Sequence, residues 1–247
     1  MLSRIFINCF ILISFYAVSY STEKDSTVEN IFNLIYNQQF AEAEKVLNEN
    51  KSKVEPFYFN ILNLDLFWWR YSLSRSKEDA NNLNEVLNNF SNSSANKTEN
   101  QIDRLIRTSY QMRYEMKRYN IIGVLFIRSD VRKQIEDLKD EDLSFLGERQ
   151  KLYDFYLALF DYFDESINPF SFGKKSEKYS KSILTLEKFS NDNDLILSTL
   201  AHYFLGRIYL KVEKQTEKGQ AHFKILVNRF PENKLFYQLA NGLNTKF

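Results

Sequence analysis

Cysteine is nearly absent. Cys9 is the only one in 247 residues, so the chain can form no internal disulfide and no multi-cysteine metal site. Histidine is almost as scarce, at positions 202 and 222 only. With no HExxH or CxxC spacing, two such residues make a weak metal site and leave no nameable catalytic triad. Three prolines and six glycines are too few for the repeated tight turns of a β-sandwich or barrel. Those glycines are scattered, so no phosphate-cradling loop of P-loop or GxGxxG type exists. A formal charge of +1 gives no global field to draw the chain to nucleic acid or to an anionic membrane.

What remains is apolar and aromatic. Hydrophobic residues make up 44% of the chain and aromatics 16%, ample for one sizeable core of helices joined by short polar loops. The N-terminus has the pattern of an export signal over residues 1–21. Arg4 precedes an apolar run from Ile5 to Val18, and both Ala17-Val18-Ser19 and Ser19-Tyr20-Ser21 offer small-x-small cleavage sites. The run falls short of the ~20 apolar residues a spanning helix needs. The expectation is an exported protein (periplasmic, envelope-associated or secreted) that is not an integral membrane protein once the signal is cleaved. Without that segment the chain carries no thiol and 32 residues of each charge sign.

Two stretches have a common spacing. In residues 194–231 it reads His202-x2-Leu205-Gly206-x2-Tyr209, then Ala221-x3-Ile225, then Pro231. In residues 26–56, Phe40-x2-Ala43-x3-Leu47 is followed by Pro56, after a first helix whose start carries Ser26 and Glu29 as a capping box. The pattern resembles the tetratricopeptide repeat (TPR), a helix–turn–helix unit with signature W-x2-L-G-x2-Y, A-x3-F, P. Membership of the broader TPR-like α-helical superfamily implies an all-α superhelix, here of four to five helix pairs over residues 22–247, closed by a short helix at 234–243. It also implies that Gly206 and Ala221 stand where paired helices approach closely. Such superhelices present surfaces to other proteins and usually catalyse nothing.

Between these units, Pro56 opens a helix that is apolar on two faces, one row through Trp68 and the other through Trp69. A helix apolar almost all round is a buried one, which places both tryptophans in the core. Further helices are expected at 78–90, 101–119, 121–138, 143–163, 177–189, 194–211 and 218–229. Polar residues 91–100 and the break at 168–173 separate them.

Few residues suggest chemistry. Arg104, Arg107, Gln111, Tyr114 and Arg118 follow helical spacing and share one face. Arginine and tyrosine are enriched at protein interfaces, so Arg104, Arg107, Tyr114 and Arg118 are the candidate partner-binding residues. Asp161, Asp164 and Glu165 could pair as carboxylates, but acidic residues on a helix face are ordinarily solvated. His202 occupies a packing position of the repeat. No catalytic, cofactor-binding or metal-binding set emerges. The expected function is a non-enzymatic scaffold or adaptor that shows a helix-lined groove to a protein or peptide partner, not to nucleic acid. The alternative is a carrier of a small or lipidic ligand in an aromatic-lined cavity, prompted by 22 Phe and 15 Tyr.

Overall fold

Eleven α-helices and one 3-10 turn account for the described residues, 26–90, 96–166 and 176–243 of the computed structural model, and no strand occurs among them. We number the helices α1 (26–36), α2 (Phe40–Glu49), α3 (Pro56–Ser74), α4 (Lys77–Asn88), α5 (Lys97–Lys117), α6 (Ile121–Leu138), α7 (Glu148–Ser166), α8 (Glu177–Ser190), α9 (Leu195–Lys211), α10 (Thr216–Arg229) and α11 (Lys234–Ala240). The apolar segment 1–21, residues 91–95 of the polar loop and the break at 168–173 lie outside the described residues.

Local chemistry sets the helix starts. Pro56 takes the first position of α3, where its missing N–H costs nothing. Ser76, Asn96, Asn120, Ser176, Asp194 and Asn233 each accept a hydrogen bond from a backbone N–H of the helix they precede. Such caps satisfy donors that no helical carbonyl can reach. The sequence-based boundaries hold to within a few residues. Two starts differ: Ser26 lies already inside α1, and the helix expected from 143 begins at Glu148, after a 3-10 turn at Ser144–Leu146.

Neighbouring helices pack in pairs: α3 with α4, α5 with α6, α7 with α8, α9 with α10. The odd-numbered helices also touch one another in sequence, α3 to α5 to α7 to α9. They form the inner layer, as their burial shows. α9 is buried on almost every side from Ile196 to Tyr209, whereas α4 buries only Leu83 and Leu87. Trp68 and Trp69 lie in this core.

The two ends of the array meet. Tyr36 of α1 lies 5.3 Å from the ring of Phe230 and 6.3 Å from that of Phe236. Gln38 and Gln39 donate to Asn233 and Glu232 at 3.0 and 2.6 Å.

One register differs from the sequence reading. Gly206 is buried, and a Cβ built on it would fall 2.6 Å from the Phe223 ring. Its small partner across the contact is Gly219, not Ala221: a Cβ on Gly219 would meet Leu210 at 2.5 Å and the Gly206 carbonyl at 3.0 Å. Ala221 is exposed, and Ile225 is 42% exposed. The closely packed spacing is therefore Gly219-x3-Phe223. The turn between α9 and α10 is shorter than a register on Ala221 requires.

Candidate functional site

At the centre of the inner layer the helices bury polar groups. Asp65 of α3 is 1% exposed and accepts from the Tyr110 hydroxyl at 2.5 Å and the Tyr36 hydroxyl at 3.4 Å. Burial raises its pKa to about 6, against the pull of Tyr110, Arg113 and Tyr36. Arg113 of α5 lies over the Tyr110 ring, 3.7 Å from its centroid, with Trp68 and Phe204 at 5.2 and 5.5 Å. Burial opposes its charge, but Tyr110, Tyr156 and Asp65 beside it hold the pKa above the ordinary value. Its Nε and Nη2, the Tyr156 hydroxyl and the Trp68 Nε1 are enclosed, and among the described residues none of them meets a partner in good hydrogen-bond geometry, although Tyr110, Arg113 and Tyr156 lie close enough to polarise one another. Such orphans are rare in folded proteins and costly.

Arg113 keeps part of its surface open, and that surface faces a pocket of about 360 Å³ between α3, α5, α7 and α9. Trp68, Met112, Tyr156, Leu159, Phe160, Tyr203 and Phe204 make its walls. Arg75, Lys117, Arg207 and Lys211 stand among the lining residues with Arg113, and among the described residues no Asp or Glu does. The mouth lies where the inner helices end, since Arg75 caps α3, Lys117 ends α5 and Lys211 ends α9. Cations at helix C-termini complement the macrodipole, which accounts for part of this set. It does not account for Arg113 or Arg207, each a turn further in. Burial, then the charges of Arg75 and Arg207, depress the Lys117 pKa to about 8. The smaller part of that depression, from Arg75 and Arg207, reflects the positive charge gathered at the mouth.

The candidate stripe on α5 lies on a different face. Arg104 is half-exposed and pairs with Asp130 at 3.3 Å. Arg107 donates to the Leu87 carbonyl of α4 at 3.3 Å. Tyr114 is buried, accepting from Asn84 at 2.9 Å, and Arg118 covers its ring at 5.0 Å. The four thus part company: Arg104 turns toward α6, while Arg107 and Tyr114 contact α4 with Arg118 laid over the Tyr114 ring.

The remaining candidates are structural contacts. Asp161 pairs with Lys178 at 2.9 Å. Asp164 is held by Arg128 and Arg132 at 2.5 and 2.7 Å; burial works against its charge, but those two arginines win and lower its pKa. His202 and His222, 20 residues apart, meet at 2.9 Å through their Nδ1 atoms. No group of three metal-binding side chains occurs among the described residues. A second hollow, about 580 Å³, lies between α2, α3 and α4, where Asn48, Asn60, Asn63, Asn82 and Asn89 alternate with Phe59, Phe67 and Phe90.

No known family matches the sequence, and no curated protein or solved structure is significantly similar to it.

The sequence held one signal for this pocket that its periodicity hid. Arg113 interrupts the apolar row of α5 between Met112 and Met116, and only the helices packed against it turn that interruption into a site.

Proposed function

We propose that this is an exported, non-enzymatic carrier whose central pocket binds a small amphiphile with an anionic head and an apolar or aromatic body. The observation that supports this reading is the pocket's composition: among the described residues, five cationic side chains and no carboxylate against aromatic walls. A low-dielectric cleft lined by one sign of charge focuses its field, and an anion there would offset the repulsion that Arg75 and Arg207 exert on Lys117. The volume falls in the range of about 300–1,000 Å³ usual for small-ligand pockets. The helix pairs serve as a TPR-like frame: Leu205-Gly206-x2-Tyr209 with Gly219-x3-Phe223 and Pro231 sets the close-packed unit, and the array curls until its ends meet.

Trp68 in the pocket wall supplies the test. Titration with dodecanoate should change tryptophan emission saturably, and dodecan-1-ol should bind at least tenfold more weakly. The Lys117→Met/Arg207→Met variant should lose the preference for the acid. Equal binding of acid and alcohol, or none of either, overturns the reading.

A second reading follows from the asparagine-lined hollow, whose amides match the donors and acceptors of an extended peptide backbone. Here the protein is a scaffold, with Arg104, Arg107, Tyr114 and Arg118 on the neighbouring edge as further contacts. Charge reversal at Arg104 and Arg107 should then abolish capture of the peptide partner by a chain that still unfolds cooperatively, the lost Asp130 and Leu87 contacts costing about 1 kcal/mol each or less.

A further inference from the structure

Among the described residues, the turn from α5 into α6 carries the largest run of exposed apolar side chains. Tyr119 is 81% exposed, Ile121 73%, Ile122 70%, Leu125 56% and Phe126 76%. Positions 121, 122, 125 and 126 follow helical spacing and cover one face of α6, whose buried residues Val131, Gln134 and Leu138 all lie in its second half. Tyr119 sits at the corner in the left-handed conformation, φ 58°. These side chains stand out from a helix–turn corner, so they form a projection rather than a groove. Scattered exposed apolar residues are normal, but a contiguous patch marks a binding surface.

Two features identify what the projection enters. First, it is continuous with the pocket mouth, because Met116, Lys117 and Tyr119 line the pocket and lead directly into the patch. Second, its border is basic. Lys117 and Arg118 immediately precede it, and Arg75, Arg207 and Lys211 stand across the mouth. The acidic group on this corner, Glu115, is engaged by Arg118 at 3.7 Å and by the Asn120 side chain at 2.7 Å. Apolar and aromatic side chains bordered by Lys and Arg suit the boundary between headgroups and acyl chains, and an anionic leaflet attracts the cations.

We infer that the α5–α6 corner docks on an anionic lipid bilayer, with Ile121, Ile122, Leu125 and Phe126 inserted and the pocket mouth facing the membrane. The patch lies outside the pocket, so this docking does not depend on what the pocket holds. It does rest on the carrier reading for its purpose, which is to pass an amphiphile between bilayer and pocket without crossing water.

A Phe126→Trp variant of the full chain reports on the corner itself, independently of any contact made by residues 1–21. Read as the difference from the wild-type spectrum, which carries the buried Trp68 and Trp69, the introduced indole should emit in buffer as a solvated one. Vesicles of phosphatidylglycerol brominated on the acyl chain should shift its emission to the blue and quench it by more than half. Vesicles of brominated phosphatidylcholine should need at least tenfold more lipid for the same effect. Adding Ile122→Asp and Leu125→Asp should abolish the response while dodecanoate binding persists. No quenching by either lipid overturns the inference, as does equal quenching by both. So does a blue-shifted indole before lipid is added, which would show the patch already covered by the chain or by a second copy.

Discussion

The Asn233 side chain donates to the backbone carbonyl of Tyr36 at 2.6 Å, joining residues 197 positions apart. Its oxygen meanwhile accepts from the Phe236 N–H at 3.0 Å as the cap of α11, and from Gln38 at 3.0 Å. One buried amide thus starts the last helix and fastens it to the first.

Asn233→Ala removes a cap worth about 1 kcal/mol and leaves the Tyr36 carbonyl and its neighbours buried without a partner, at about 1–3 kcal/mol more. Thermal unfolding should show a loss of about 2–4 kcal/mol. Faster hydrogen exchange should appear in α1 and α11 before α5. A loss below about 0.5 kcal/mol would mean that the two ends do not hold each other.

The contact between α9 and α10 makes opposite predictions for two neighbouring positions. Gly206→Ala places a methyl against the Phe223 ring, which is fully buried and cannot withdraw. The cost should be about 1–3 kcal/mol, or several degrees in Tm for a chain of this size. Ala221→Phe points into solvent and should change stability by about 0.5 kcal/mol or less. The reverse pattern would restore the register read from sequence.

The paired histidines make stability depend on pH. Burial, then His222 and Arg229, lower the His202 pKa to about 4, and burial also lowers that of His222. A depressed histidine stabilises the fold in full above its unfolded value of about 6.5, and that contribution is lost as pH falls toward 4. Asp65 works in the opposite direction. Its raised pKa favours the fold in full below the unfolded carboxylate value and withdraws that support as pH rises through about 6. Replacing His202 with Phe should therefore leave a chain whose stability rises on acidification from pH 6.5 to 4, relative to wild type, by on the order of 1–2 kcal/mol. Denaturant melts at the two pH values measure the difference directly; parallel pH profiles would exclude the pair as the cause.

Lys117 should tie ligand binding to alkaline pH. With a pKa of about 8, it loses its charge as pH rises past that value. Dodecanoate affinity should fall between pH 7 and 9.5, and Lys117→Met should flatten the fall. A profile unchanged by the substitution would remove Lys117 from the anion site.

The helices were legible because their signals are local. Pro56, Asn120 and Asp194 act on the few residues that follow them, and the apolar spacing of α3 foretold the burial of Trp68 and Trp69. The pocket is not local. The Arg113 environment is assembled from Asp65 on α3, Tyr156 on α7 and Phe204 on α9, so a helical wheel of α5 shows one cation in an apolar row. The same wheel shows Arg104, Arg107 and Arg118 as a stripe, although it cannot show that Tyr114 is buried against α4. Gly219 was missed for a related reason: two positions of loop length between α9 and α10 decide which small residue faces Gly206.

The most direct test of the account is to purify the protein from its native host, extract it with organic solvent and identify by mass spectrometry what is released. About one acidic amphiphile per chain is expected, absent from the Lys117→Met/Arg207→Met variant prepared in the same way. A wild-type protein that releases no small molecule, or only neutral lipid retained equally by the variant, would contradict it.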